Sequence, residues 1–326
     1  MTESSSSLTL AQLVPLWQIH LKAQRLSPRS VKSYGEALWR LDAWLVAEDR
    51  STEVAEISKR TLEAWMVALS ETITRSGEPM KPSSVASYFR WAQQFFRWAS
   101  AEGELGRDRQ GRAYPSPMAD MNPPRVPEIP VDAVDLVEYL ALMQTTANSN
   151  RLEDRRDAAI LSILYDTGIR LDELARLRVV DVDLEGQQLR VTGKGSKIRD
   201  VGIGATAMDM LSRYYRSRLV QPGAAEEEHL WLRRTSKGSG ALRSDGVASM
   251  IERRARQAGI RHITPHQFRH GWASNMKKAN IQHDELKAAG GWASDAMVER
   301  YGRATVRARA VETMKRLSPV DAAGRR

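Results

Sequence analysis

Six side chains in the second half of this 326-residue chain stand in settings that could carry chemistry. Arg170 follows a glycine turn in Tyr-Asp-Thr-Gly-Ile-Arg-Leu-Asp-Glu-Leu. Lys194 sits on the turn of an expected hairpin in Val-Thr-Gly-Lys-Gly-Ser-Lys-Ile-Arg. His266 and Arg269 share a helix face in Thr-Pro-His-Gln-Phe-Arg-His. Trp292 lies in Ala-Gly-Gly-Trp, and Tyr301 comes nine residues later. The set consists of cations, hydrogen-bond donors and one phenol. Taken singly, none is diagnostic: an arginine after a turn is usually solvated, a hairpin lysine usually does nothing, and a helical tyrosine usually packs.

Other chemistries are excluded or disfavoured. The chain has no cysteine, which removes disulfides, thiolate zinc sites, iron–sulfur clusters and cysteine nucleophiles together. Gly193-Lys194-Gly195 lacks the spacing of a phosphate-binding loop. His266 and His270 are four apart on a helix, but Gln267 stands where a zinc protease needs glutamate, and no third ligand suggests itself. Neither a metal nor another cofactor is expected. With 49 Lys+Arg against 40 Asp+Glu, a formal +9, the protein attracts polyanions, and nucleic acid leads the expected partners. The serine-rich start has no signal-peptide core, and no apolar run is long enough for a membrane span. The expected location is cytoplasmic, with no membrane partner.

In combination the six residues resemble the catalytic set of the tyrosine recombinase (integrase) family, which includes Xer-type and Cre-type enzymes. That family carries, in order, an arginine after a Thr-Gly turn, a lysine on a β-hairpin, a His-x-x-Arg, a His or Trp, and a tyrosine nucleophile. Arg170, Lys194, His266, Arg269, Trp292 and Tyr301 match these positions in order and with the usual gaps. Glu173 matches the family's supporting acidic position. Most relatives have histidine where this chain has Trp292. An indole N–H donates one hydrogen bond but does not titrate, which leaves donation to a phosphate oxygen and packing beneath the tyrosine helix.

The resemblance implies a site-specific DNA recombinase that forms a 3′-phosphotyrosyl intermediate. Attack on a phosphodiester builds negative charge on the nonbridging oxygens, which preorganised arginines stabilise without a metal. Arg170 and Arg269 would form that clamp, with His266 and the Trp292 N–H as further donors. Tyr301 would attack phosphorus, and Lys194 would protonate the departing 5′-oxygen. The acceptor of the tyrosine proton stays open; His266 is one candidate, and Glu173 is expected to orient its neighbours. For partners the resemblance implies double-stranded DNA bearing a specific recombination site and a homotetramer on two duplexes, with room for accessory proteins. Two alternatives share the fold: a type IB topoisomerase-like relaxing enzyme and a catalytically idle DNA-binding protein.

The elements that must position these residues follow from periodicity. The fold class expected is mainly α: a helical amino-terminal domain (1–120), a linker (121–131) rich in proline, and an α+β domain (132–326) with a small antiparallel sheet, which the resemblance implies are the family's core-binding and tyrosine-recombinase catalytic domains. Apolar residues recur at helical spacing in Leu8–Ala23, Val31–Ala47, Leu62–Ile73 and Val85–Ala99. Trp91, Phe95 and Trp98 share one face and are expected to pack. In the second domain helices are expected at 132–147 and 153–167, ending at a left-handed cap on Gly168. Short strands follow at Val180–Leu184, Gln188–Thr192 and Ile198–Ile203. Helices return at 205–219, 244–258, 265–279, 283–289, 294–301 and 305–316. The last of these, Thr305–Leu317, is amphipathic, with Val306, Ala310, Val311 and Met314 on one face; the alternatives are a helix folded back on its own domain and, as the resemblance implies, an exchange segment docking on a neighbouring subunit.

Overall fold

A computed structural model describes residues 8–127, 132–147, 149–193, 195, 197–236, 238–300, 310–311, 313–318 and 320. The chain divides into two compact units, Met1–Ile129 and Pro130–Arg326.

The first unit is built from four helices: α1 (Leu10–Ala23), α2 (Pro28–Ala47), α3 (Lys59–Glu71) and α4 (Pro82–Glu102). Their starts are written locally. The Ser27 and Ser58 hydroxyls accept from the backbone N–H three residues on, at 3.1 and 3.2 Å, and Pro28 and Pro82 occupy first-turn positions. Trp17, Trp65, Phe89, Phe95 and Phe96 are sealed in the core, with Trp91 and Trp98 packed against it. The aromatic face of α4 is packing, as its spacing suggested.

The second unit is organised around α6 (Leu152–Thr167). This helix is apolar almost all round from Ala158 to Leu164, as befits a buried helix. Against it pack α5 (Leu136–Gln144), α8 (Ala205–Leu219) and α10 (Pro265–Lys278). The unit also holds α7 (Leu171–Ala175), α9 (Ser244–Gln257), α11 (His283–Gly290) and α12 (Asp295–Arg300). A three-stranded antiparallel sheet runs β1 (Val182–Asp183), β2 (Gln188–Thr192), β3 (Ile198–Gly202), with Val191 opposite Arg199 and Thr192 opposite Ile198. Among the described residues no helix is long and apolar enough to cross a membrane.

The structure differs from the sequence expectations at three places, the first two for local reasons. α5 starts at Leu136, because the Asp135 carboxylate caps the Glu138 N–H at 2.8 Å and Glu138 reaches back to the Asp135 N–H at 3.2 Å. The strand expected over Val180–Leu184 shrinks to two residues. Asp181 bonds the Arg178 N–H at 2.8 Å and Asp183 the Gly186 N–H at 2.8 Å, local bonds that compete with the ladder. A second hairpin, β4 (Leu232–Thr235) with β5 (Gly238–Ala241), was not anticipated. The carboxy-terminal segment is helical at residues 310–311 and 313–316; the rest of Thr305–Arg309 and residue 312 lie outside the described residues.

One buried charge cluster ties the unit together. Asp157, fully buried on α6, accepts from Arg156 at 2.7 Å, Arg253 at 2.9 Å and Arg254 at 2.6 Å. Arg156 continues to the Leu232 carbonyl on β4 at 2.7 Å, and Arg254 to the Thr145 carbonyl at 2.9 Å. Removing one partner of a buried ion cluster leaves uncompensated charge, at a cost of about 3–5 kcal/mol. Asp157 is therefore the clasp between α6, α9 and the second hairpin.

Candidate active site

The site grows from two glycine-dependent turns. Gly168 caps α6 with φ 58°, and a Cβ there would lie 2.5 Å from the Trp272 ring, so both backbone angle and space demand glycine. The turn places Arg170 at the start of α7. At the end of α11, Gly291 takes φ 60°, and a Cβ on it would approach Arg199 Nη1 to 2.9 Å. A Cβ on Gly290 would meet the Trp292 ring at 2.2 Å. Ala-Gly-Gly-Trp is thus a tight turn into which guanidinium groups and an indole are packed.

Both arginines singled out by sequence converge on this turn. Arg170 donates through Nη2 to the Gly291 carbonyl at 2.9 Å. Arg269, only 2% exposed on α10, donates to the Gly290 carbonyl at 2.5 Å and to the Gly168 carbonyl at 2.8 Å. Its guanidinium carbon lies 4.4 Å from the centroid of the Trp292 ring, a cation–π contact. Trp292 is buried and stacks on Trp272 at 5.8 Å. Together with Ala273, Leu286 and Val298 of α12 these indoles form a small core separate from the main one. Lys277 reaches across to the Val298 carbonyl at 2.9 Å. α12, which leads directly to position 301, is therefore seated on Trp292.

Glu173 completes this arrangement. It is buried beneath Arg170, which bonds it through Nη1 at 2.9 Å and through its backbone N–H at 3.0 Å. Burial alone would raise its pKa. The Arg199 hydrogen bonds and charge, with those of Arg170, outweigh that and bring it down to about 2. Because the folded value lies below the unfolded one of 4.5, this carboxylate stabilises the fold above that pH, and the contribution is lost as pH falls toward 2. His266 is exposed at the first turn of α10, its ring edge-on to that of His270 at 4.7 Å. Lys194 and Tyr301 lie outside the described residues. Among the described residues, Arg170, Glu173, Arg269 and Trp292 are brought together; His266 is placed on the helix that carries Arg269. Sequence reasoning missed Arg199, whose only sign was its place closing the Gly-Lys-Gly-Ser-Lys-Ile-Arg string.

Comparison with known proteins identifies the family. The pattern of the phage integrase family matches residues 133–307. The tyrosine recombinase XerC of Pelobacter propionicus is 28% identical over 295 residues, covering 90% of each chain. XerC of Alcanivorax borkumensis is 29% identical over 281 residues, covering 85% of this chain and 84% of its own. Among solved structures, the fold is similar to that of the XerH site-specific recombinase bound to a palindromic difH substrate, with TM-score 0.71 and 17% identity over 93% of this chain and 84% of that one. It is also similar to a lambda integrase tetramer bound to a Holliday junction, with TM-score 0.68 and 17% identity over 91% of this chain and 78% of the other. These relatives do not favour the relaxing-enzyme and idle-binder alternatives. The family pattern covers more than half of the chain, which belongs to the phage integrase family, the tyrosine recombinases.

Proposed function

We propose that this recombinase cuts and rejoins duplex DNA at a specific site, with Tyr301 as nucleophile, Arg170 and Arg269 as the phosphate clamp, His266 and Trp292 as further donors, and Lys194 as general acid. The observation that carries the reading is the convergence of Arg170 and Arg269 on neighbouring carbonyls of the turn that leads into α12. These guanidinium groups come from elements about a hundred residues apart and are held by fixed acceptors, so they need no reorganisation as charge develops on a scissile phosphate. Tyr301 would give up its proton, with His266 the candidate acceptor, and form a bond to phosphorus as the bond to the deoxyribose 5′-oxygen breaks. Lys194 would give that oxygen its proton, and the reverse steps on a second strand would restore the phosphodiester. The conserved bond energy makes nucleotide hydrolysis unnecessary. Glu173 orients Arg170.

The test is covalent capture. A nicked duplex, built on a site that the protein selects from a randomised pool, should yield a protein–DNA band that survives denaturation, in EDTA and without nucleotide. A stoichiometric requirement for magnesium would overturn the arginine-clamp mechanism.

The assembly proposed is a tetramer on two duplexes, joined by the carboxy-terminal segment. Val311, Met314, Leu317 and Val320 are all more than half exposed, an apolar surface that a neighbour could cover. Four side chains are worth a few kcal/mol at about 25 cal/mol per Å² buried, too little to hold four copies together without DNA. Deleting residues from 306 onward should leave single-site binding nearly intact and abolish synapsis in gel-shift and recombination assays. Full recombination by the truncated chain, or a tetramer in free solution, would count against the arrangement.

A further inference from the structure

Arg199 lies on β3, within the hairpin whose turn holds Gly193 and Gly195, and only 15% of its side chain is exposed. All three of its donor nitrogens are engaged across element boundaries. Nη1 and Nη2 bond the two oxygens of Glu173 at 3.0 and 2.8 Å, and Nε bonds the Ala289 carbonyl of α11 at 3.0 Å. Arg170 meets the same carboxylate from the other side, through Nη1 on Oε1 and its backbone N–H on Oε2. Each carboxylate oxygen therefore accepts twice, which fills its capacity. With no lone pair left over, the Glu173 carboxylate has one orientation, and the Arg170 fork has the same constraint. Both guanidinium groups then continue to α11, at Ala289 and Gly291.

We infer that Arg199 is a positioning residue for strand cleavage: acting through Glu173 it fixes the Arg170 guanidinium, and it ties the hairpin carrying Lys194 to the turn before Trp292. The inference rests on the proposed place of Arg170 in the phosphate clamp. Lysine could not do the same work. An ammonium is a point donor on a flexible stem and lacks the planar fork that engages both oxygens while a third N–H bonds a carbonyl.

The experiment separates DNA binding from chemistry, using the nicked duplex described above. For Arg199→Gln the dissociation constant should stay within about threefold of wild type, while the single-turnover rate of adduct formation falls by about 10²-fold, the scale of a misplaced reacting group. Arg199→Lys should recover little of that rate. In the Glu173→Gln background, adding Arg199→Gln should slow cleavage by clearly less than it does in the wild type, because the path through the carboxylate is already cut and only the tie to Ala289 remains to be lost. If Arg199→Gln does not fold, Arg199→Lys, which keeps a cation beside Glu173, carries the test, with its cleavage rate expected to fall while its dissociation constant holds. Wild-type cleavage by Arg199→Gln, a binding loss as large as the rate loss, or fully multiplicative effects in the double variant would each overturn the assignment. Failure of the wild-type protein to form any adduct would instead overturn the recombinase mechanism, and the positioning role with it.

Discussion

Tyr301→Phe should bind its DNA site as tightly as the wild type and form no adduct that survives denaturation. Phenylalanine keeps the ring and removes only the oxygen that would attack phosphorus, so the loss should be complete. The preceding helix is seated by Val298 in one cluster with Trp272, Trp292 and Leu286. Three other phenols of this unit are held by contacts of their own. The Tyr214 hydroxyl is locked between the Leu230 carbonyl and the Leu232 N–H, both at 2.8 Å, and burial pushes its pKa up to about 12. Tyr139 and Tyr165 are stacked on each other at 4.2 Å, with the Tyr139 hydroxyl beside Ser162. The measurement is a denaturing gel of the nicked-substrate reaction alongside a binding titration. A band of undiminished strength would remove Tyr301 from the mechanism.

Lys194→Ala should slow cleavage by roughly 10²–10⁴, the range for a positioned general acid. The turn bearing position 194 closes where the Gly193 N–H bonds the Lys197 carbonyl at 2.8 Å, a backbone contact that alanine preserves. A loss of rate would then reflect the ammonium and not the loop. A substrate whose 5′-bridging oxygen is replaced by sulfur releases a thiolate without needing a proton. That substrate should bring the variant back close to the wild-type rate. If it does not, Lys194 holds DNA and another group supplies the proton.

What the sequence made legible follows from what is local. β2 reads as a strand because Leu189 and Val191 alternate with polar neighbours, and it occupies Gln188–Thr192 as expected. α8 runs over the residues expected, 205–219, its apolar side carried by Ala207, Met208 and Leu211. The second hairpin escaped notice because Leu-Arg-Arg-Thr pairs with Gly-Ser-Gly-Ala, and neither segment shows alternation or β-branching enough to signal a strand. The same contrast divides the site. Glu173 lies one helical step from Arg170, within reach of a motif, and the Gly-Gly before Trp292 announces a turn. Arg199 is defined by partners 26 and 90 positions away, and no spacing rule within one chain segment encodes such a link. Trp272 is similar: its packing against Gly168 and Trp292 arises only when α6, α10 and α11 are assembled.

The carbonyls of Gly290 and Gly291 have a mechanical consequence. They are the fixed ends of the Arg269 and Arg170 hydrogen bonds, and they are also the last backbone groups before Trp292 and the helix that delivers position 301. In the mechanism proposed above, the phosphate grip and the chain segment that leads to the nucleophile would therefore share one pivot. A rotation of that pivot would strain the Arg170 bond to Gly291 and the Arg269 bond to Gly290, while the Arg269 bond to the Gly168 carbonyl would be left to hold that guanidinium. Under that mechanism, a displacement of the pivot would bear on attack and on charge stabilisation together.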